Sequence, residues 1–151
     1  MKRAAAYNWL ARVRDEMEAA RFALAVVLRD WHLHLSAAPL HRGRALSVGD
    51  LQRCRAHLEL TYMLRLFASW EAILRDYWLR GLGRDTVPEL NQLVDSLAAR
   101  RKIDPDTVAR VHDLRRFRNE VVHENLQLLR YDFGQCAGGL GKFIAHLPPN
   151  W

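Results

Sequence analysis

Residues 58–79, LELTYMLRLFASWEAILRDYWL, carry apolar side chains around much of a helical circumference. A helix at the surface of a globular protein normally has one apolar stripe and one polar face. A helix that is apolar on several sides lies at the centre of a bundle, or divides its surface between the core and a subunit interface. The spacing of Met63, Phe67, Trp70, Leu74 and Trp78 assigns these side chains to the core. This stretch therefore predicts an all-α protein with a central helix.

Signals for helix starts flank the central helix and recur downstream. Ser47 and Asp50 form a capping-box-like pattern, so the central helix is expected to start near Ser47 and to run to about Arg80, before GLG. A second clear start is Asp104 followed by Pro105, an acceptor cap and then a proline in the first turn. Between them a shorter helix is expected to start around Thr86–Glu89 and to end near ARRK.

Two further helices complete the predicted bundle. One covers about residues 5–35, where apolar residues recur at three- and four-residue spacing: Leu10, Val13, Met17, Ala20, Leu24, Val27 and Trp31. The other covers about residues 128–146 and contains four glycines, so it is either frayed or closely packed against a neighbour. Residues 36–50, SAAPLHRGRALSVGD, are typical of a loop. The sequence thus predicts an up-down bundle of four to five helices.

Composition limits the class of protein and of partner. The 151 residues suffice for one domain, here residues 1–151, and half of them are apolar. The net charge of +6 favours an anionic partner, nucleic acid before an acidic membrane surface. Cys54 and Cys136 are isolated and are expected to be reduced thiols. The first residues, MKRAAAYNWLARVRDEME, become charged too early for a signal peptide, and the apolar run FALAVVL is too short to span a membrane. A cytoplasmic protein with no membrane partner is expected.

The fourth helix contains the segment LRRFRNEVVHEN, residues 114–125. Its spacing predicts a buried stripe formed by Val111, Leu114, Val121 and Val122, with Arg118 on the stripe or at its edge. Asn119 and His123 are four residues apart and share another face. At about 100° per residue, Arg118 and His123 diverge by about 140°, so they serve one site only at a helix margin, at a distortion or with a second subunit.

The hexapeptide RNEVVH, residues 118–123, resembles the R-X4-6-H motif of the HEPN superfamily, a group of small all-helical domains that includes many metal-independent ribonucleases. The polar residue after the arginine, here Asn119, also matches, as does the place of the motif in a late helix. The resemblance implies a HEPN-like domain with ribonuclease activity of toxin or anti-phage type. It also implies a homodimer that brings two motifs together, RNA as the substrate, and a cognate antitoxin or nucleotidyltransferase as a partner.

The residue types suit this chemistry. His123 can exchange a proton at neutral pH, activating the RNA 2′-OH or protonating the leaving oxygen. Arg118 offers a charged fork suited to a phosphorane, and Asn119 can hold the imidazole or contact phosphate. Arg115 and Arg116 are expected to bind RNA phosphates. No metal or other cofactor is expected, because no set of carboxylate, His or Cys side chains stands out as a metal site.

Two alternatives remain open at this stage. Arg118 could instead be an interior arginine paired with Glu71 or Asp113, in which case His123 faces solvent. Glu71 itself is either a supporting carboxylate of the site or an exposed partner of Arg75 at i+4. The corresponding alternative function is a non-catalytic helical module that binds RNA, nucleotide or a partner protein. The tyrosine that some family members carry two positions after the histidine is Asn125 here, although Tyr131 lies nearby.

Overall fold

The computed structural model describes residues 1–31, 40–41, 44–123 and 130–151. Within these ranges the chain forms five α-helices, which confirms the all-α bundle: α1 (Arg3–Arg29), α2 (Val48–Asp76), α3 (Leu90–Arg101), α4 (Pro105–His123) and α5 (Phe133–Ala145). A π-helical turn, Tyr77–Gly81, continues α2 just beyond the predicted end near Arg80. Two antiparallel strands of two residues each, β1 (Leu40–His41) and β2 (Arg44–Ala45), lie where the sequence predicted a loop. None of the helices in the described ranges combines the length and apolar character that a membrane crossing requires.

Helix α2 lies at the centre of the bundle, as its apolar circumference predicted. It packs along α1 and also contacts α3, α4 and α5. Trp70 is almost fully buried and meets Phe143 of α5 edge to face, with ring centroids 5.8 Å apart. The α2 residues Met63, Phe67 and Leu74 are buried as well, whereas Trp78 is only partly buried and packs at the margin of the core. Burial of these large side chains supplies most of the driving force for folding.

Helix starts follow the capping chemistry of the sequence. Ser47 and Asp50 form a complete capping box: the Asp50 amide donates to Ser47 Oγ over 3.2 Å, and the Ser47 amide donates to Asp50 Oδ2 over 2.9 Å. At α4 the Thr107 amide donates to Asp104 Oδ1 over 2.8 Å, and this hydrogen bond lowers the pKa of Asp104. Both starts were predicted, because each cap depends only on residues a few positions apart.

Helix α5 starts later than expected. The prediction placed its start near residue 128, but residues 124–129 lie outside the described residues and the helix begins at Phe133. Asp132 and Gln135 form a second capping box there, with Asp132 Oδ1 accepting from the Gln135 amide over 2.7 Å. Helix α1 ends at Arg29, earlier than the predicted residue 35, and residues 32–39 also lie outside the description.

Helices α4 and α5 pack closely at a glycine. A Cβ atom on Gly139 would lie 2.6 Å from Leu114 Cδ1, whereas one on Gly138 would meet nothing within 4 Å. The glycine-rich helix is therefore closely packed at Gly139, one of the two alternatives that its composition left open. Because α4 carries the candidate motif, this contact fixes the position of the motif relative to the core.

The buried stripe of α4 consists of Val111, Leu114, Phe117 and Val121. The prediction was wrong for Val122, which is 47% exposed, and it missed Phe117. One residue along a helix is a rotation of about 100°, so Val121 and Val122 cannot both face the core at the same depth. Arg118 is half-buried at the edge of this stripe.

Candidate nucleic-acid interface

A groove of about 240 Å³ lies between α2, α4 and the start of α3. Its walls combine apolar residues of the core margin with charged residues. The residues that line it are Phe67, Ala68, Trp70, Glu71 and Arg75 of α2, Glu89 and Leu90 at the start of α3, and Arg115, Arg118 and Asn119 of α4.

Most of the residues predicted from the motif meet in this groove. Arg115, Arg118 and Asn119 are related by three and four positions along α4, so they project from one side of that helix, and Glu71 faces them from α2. The structure thus brings together four of the six predicted residues. Two others, Arg116 and His123, do not line the groove.

Glu71 pairs within its own helix. Arg75, four residues further along α2, donates to Glu71 Oε1 from Nε over 2.8 Å and from Nη2 over 2.6 Å. Both side chains are about one-third exposed. Of the two alternatives for Glu71, the i+4 pair with Arg75 is therefore present. A pairing at this spacing contributes only a few tenths of a kcal/mol on an exposed helix, about 0.3–0.5.

Arg118 contacts its neighbour Asn119. Its Nη1 donates to Asn119 Oδ1 over 3.0 Å, which holds the guanidinium at the rim of the groove. Within the described residues, Arg118 does not form the suggested interior ion pair with Glu71 or Asp113. Glu71 pairs with Arg75, and Asp113 pairs with Arg116 and Arg130. The carbonyl oxygen of Asn119 is the acceptor of the hydrogen bond from Arg118.

Two buried hydrogen-bond donors at the groove lack an acceptor. They are Trp70 Nε1 and Arg115 Nε, and neither has a hydrogen-bond partner within the described part of the chain. Leaving a buried donor unsatisfied costs roughly 1–3 kcal/mol. Spacing along the sequence could not have identified Trp70 as part of the site, because the pattern assigned it to the core.

The other side of α4 is organised by Asp113. Its carboxylate accepts a hydrogen bond from the Tyr131 hydroxyl and lies 3.4 Å from both Arg116 Nη2 and Arg130 Nη2. The Tyr131 hydrogen bond, followed by the charges of Arg130 and Arg116, lowers the pKa of Asp113. Arg116 therefore belongs to this cluster and lies away from the groove.

Tyr131 packs against α4 from the segment that precedes α5. Its ring meets Phe117 edge to face at 5.2 Å, and the guanidinium of Arg110 lies 4.2 Å from its centroid. The sequence analysis noted Tyr131 only for its proximity to the motif. Because its partners are up to 21 residues away, no local spacing predicts this cluster.

His123 is exposed and is the last residue of α4, and Asn125 lies outside the described residues. A different histidine, His112, has a carboxylate partner: its Nε2 lies 2.7 Å from Asp95 Oδ1. The predicted catalytic histidine thus lies on α4 one turn beyond Asn119, which lines the groove. His123 itself does not line the groove of its own chain.

The two thiols differ in environment. Cys54 is exposed on α2, whereas Cys136 is buried in α5, where desolvation raises its pKa to about 12. Both are free. A buried thiol with so high a pKa is a poor nucleophile, because the thiolate is the reactive form.

Within the described ranges, no three His, Cys, Asp or Glu side chains come together as a metal site. The chain matches no protein-family model, no curated protein and no solved structure.

Proposed function

We propose that this protein is an endoribonuclease of the HEPN type that cleaves RNA without a metal ion, and that it belongs to a toxin or anti-phage defence system in the cytoplasm. The observation that carries the proposal is the convergence of Arg115, Arg118 and Asn119 on one groove, with His123 one turn further along the same helix. Arginine and asparagine donors suit phosphate oxygens, and a neighbouring histidine supplies proton transfer.

The reaction is an attack of the RNA 2′-OH on the adjacent phosphorus. A histidine accepts the hydroxyl proton while the bond between the 2′-oxygen and phosphorus forms. Arg118 stabilises the negative charge of the phosphorane. The bond to the 5′-oxygen then breaks, this oxygen receives the proton from the now protonated histidine, and the products are a 2′,3′-cyclic phosphate and a 5′-OH end.

Because His123 does not line the groove of its own chain, the proposed site requires a second copy of the chain. In a homodimer with its twofold axis beside α4, His123 of one copy approaches the groove of the other. The partial exposure of Arg118 supports this arrangement, because its guanidinium remains accessible to a ligand. A cognate antitoxin or nucleotidyltransferase would regulate such a dimer.

A second candidate function is RNA binding without cleavage. The exposed position of His123, outside the groove of its own chain, favours this alternative. The protein would then be a helical module that uses Arg115 and Arg118 to hold RNA.

One experiment separates the two functions. Purified protein is incubated with single-stranded RNA in EDTA, alongside His123→Ala and, as a control of equal size change, the exposed His57→Ala on α2. The ribonuclease proposal expects cleavage with cyclic phosphate ends by the wild type and His57→Ala, and loss of cleavage in His123→Ala. RNA binding without cleavage by any of the three proteins selects the module. Equal cleavage by all three refutes the role of His123.

A further inference from the structure

The groove between α2, α3 and α4 contains more hydrogen-bond donors than acceptors. Trp70 and Arg115 both line it, and Trp70 Nε1 and Arg115 Nε are buried without acceptors in the described residues. Trp70 is only 1% exposed, so the unsatisfied indole is a feature of the interior wall. A ligand that satisfies these unpaired donors must supply hydrogen-bond acceptors.

The start of α3 lies at the same groove. Glu89 is the N-cap residue of this twelve-residue helix, but its side chain makes no capping hydrogen bond, and Glu89 and Leu90 both line the groove. The first-turn amides of a helix without a side-chain cap attract anions, because they lack partners and lie at the positive end of the helix dipole. The start of α3 and the two buried donors therefore both favour a ligand with negatively charged hydrogen-bond acceptors.

The charge of the groove limits the charge of that ligand. Three arginines and two glutamates line it, which leaves one net positive charge, and Arg75 is already paired with Glu71. Arg115 and Arg118 are the cations left to meet a ligand. A single negative charge matches this balance, whereas a doubly charged monoester leaves one charge uncompensated.

The aromatic side chains of the groove are not available for stacking. Phe67 is 6% exposed and Trp70 is 1% exposed, so neither offers a ring face to a nucleobase. Proteins that hold single-stranded nucleic acid through its bases present exposed aromatic faces. The groove therefore suits the backbone and not the bases.

We propose that this groove is a subsite for the phosphodiester backbone of single-stranded RNA, in which Arg115, Arg118 and the start of α3 hold one phosphate without reading its base. The inference rests on the proposed function for the identity of the ligand as RNA. It assigns to this same groove a binding role that does not depend on His123, with Trp70 as the buried floor of the groove.

The test uses binding alone, with 2′-O-methyl oligo(A) and oligo(U), which lack the nucleophilic hydroxyl and cannot be cleaved. Affinities of the wild type, Arg115→Ala and Arg115→Lys are measured by fluorescence anisotropy over a series of salt concentrations. Arg12→Ala is the matched control: it removes the same charge from an exposed position on α1 that does not line the groove.

Arg115→Ala should weaken binding about tenfold or more, since a hydrogen bond to a charged group is worth roughly 1.5 kcal/mol or more and 1.36 kcal/mol is tenfold. The loss should be equal for both oligonucleotides, and the logarithmic salt slope should fall by roughly 0.7. Arg115→Lys, which keeps the charge and removes Nε, should recover only part of the affinity. Arg12→Ala should bind as the wild type does.

A direct readout follows the Trp70 indole N–H by nuclear magnetic resonance during titration with dimethyl phosphate, a singly charged phosphodiester, and with inorganic phosphate. A saturable shift at lower concentrations of dimethyl phosphate supports the subsite, and Trp70→Phe assigns the signal. Tighter binding of inorganic phosphate refutes the diester assignment. An equal loss of affinity in Arg115→Ala and Arg12→Ala, or a loss confined to one base sequence, refutes the subsite. Absence of cleavage of ordinary RNA, with Arg115-dependent binding retained, refutes only the ribonuclease.

Discussion

Arg118 Nη1 donates a hydrogen bond to Oδ1 of Asn119, its neighbour on α4, over 3.0 Å. The bond makes the arginine and the amide one unit at the rim of the groove. If Arg118 stabilises the phosphorane, Asn119 acts by holding the guanidinium in position, so the two residues should differ in how much activity depends on them.

Replacement of Arg118 should have the larger effect on RNA cleavage. Arg118→Ala should lower kcat by about 100-fold, the scale of losing one charge-stabilising donor. Arg118→Lys should also be impaired, because an ammonium does not reproduce the planar fork. Asn119→Ala should lower kcat by only about tenfold, the equivalent of one hydrogen bond of roughly 1.4 kcal/mol. Single-turnover kinetics in EDTA measure all three variants, and an Asn119→Ala defect as large as that of Arg118→Ala would contradict the positioning role.

The shared site predicts complementation between inactive subunits. His123 does not line the groove of its own chain, so Arg118→Ala and His123→Ala subunits should form heterodimers with one intact site and recover part of the activity. Light scattering should give about twice the monomer mass at micromolar concentration. A monomer that cleaves RNA at the full rate would exclude the dimer, and a dimer without rescue would place both residues of each site on one chain.

Glycine substitutions in α5 should have opposite effects on stability. Gly139→Ala places a methyl group 2.6 Å from Leu114 Cδ1, and overpacking of this kind costs about 1–3 kcal/mol. Gly138→Ala meets nothing within 4 Å, and alanine is favoured over glycine within a helix by about 0.5–1 kcal/mol. Urea unfolding should therefore show a loss of stability for the first variant and a gain for the second. Equal changes would mean that α4 and α5 are further apart than the structure has them.

Asp113 should make stability depend on pH. Its pKa is lowered in the folded state, mainly by the Tyr131 hydrogen bond, so its stabilising contribution is present above the unfolded pKa, about 3.9. This contribution is lost as the pH falls through the lower, folded value. Asp113→Asn should therefore be less stable than the wild type near neutral pH, and the difference should shrink at acidic pH. Urea unfolding at about pH 6 and about pH 2.5 tests the sign, and a constant difference would refute the assignment.

The two cysteines should react at very different rates. Cys54 is exposed, whereas burial raises the pKa of Cys136 to about 12. An alkylating reagent at neutral pH should label one thiol in the native protein and both after denaturation, as mass spectrometry of the intact chain would detect. The control Cys54→Ser should remain unlabelled until it is unfolded. Rapid native labelling of that variant would show that α5 opens locally.

The sequence predicted those parts of the fold that depend on neighbouring residues. The capping box at Ser47, the restart at Asp104 and the central position of α2 are set by short spacings or by one helix's own periodicity. A capping box also begins α5, where Asp132 and Gln135 are three residues apart. The sequence analysis placed this start near residue 128, because it followed the apolar residues that precede the capping box.

The parts that could not be predicted depend on contacts between distant segments. Whether Phe117 or Val122 faces the core depends on where α4 meets its neighbours, and a repeat of three or four residues allows either. The groove itself requires α2 and α4 to meet, so Arg115 and Trp70 come together across 45 positions of sequence. Arg115 and Arg116 were predicted to have the same role. In the structure Arg116 pairs with Asp113, whereas Arg115 lines the groove.

The cluster around Asp113 also lowers the positive charge on one side of α4. Asp113 compensates part of the charge of Arg110, Arg116 and Arg130 there, while Arg115 and Arg118 lie in the groove on the other side. A diffusing polyanion should thus meet positive charge on both flanks of α4 before any contact forms, and its association rate should fall steeply with ionic strength. Asp113, which touches no ligand, would then moderate the rate of the first encounter.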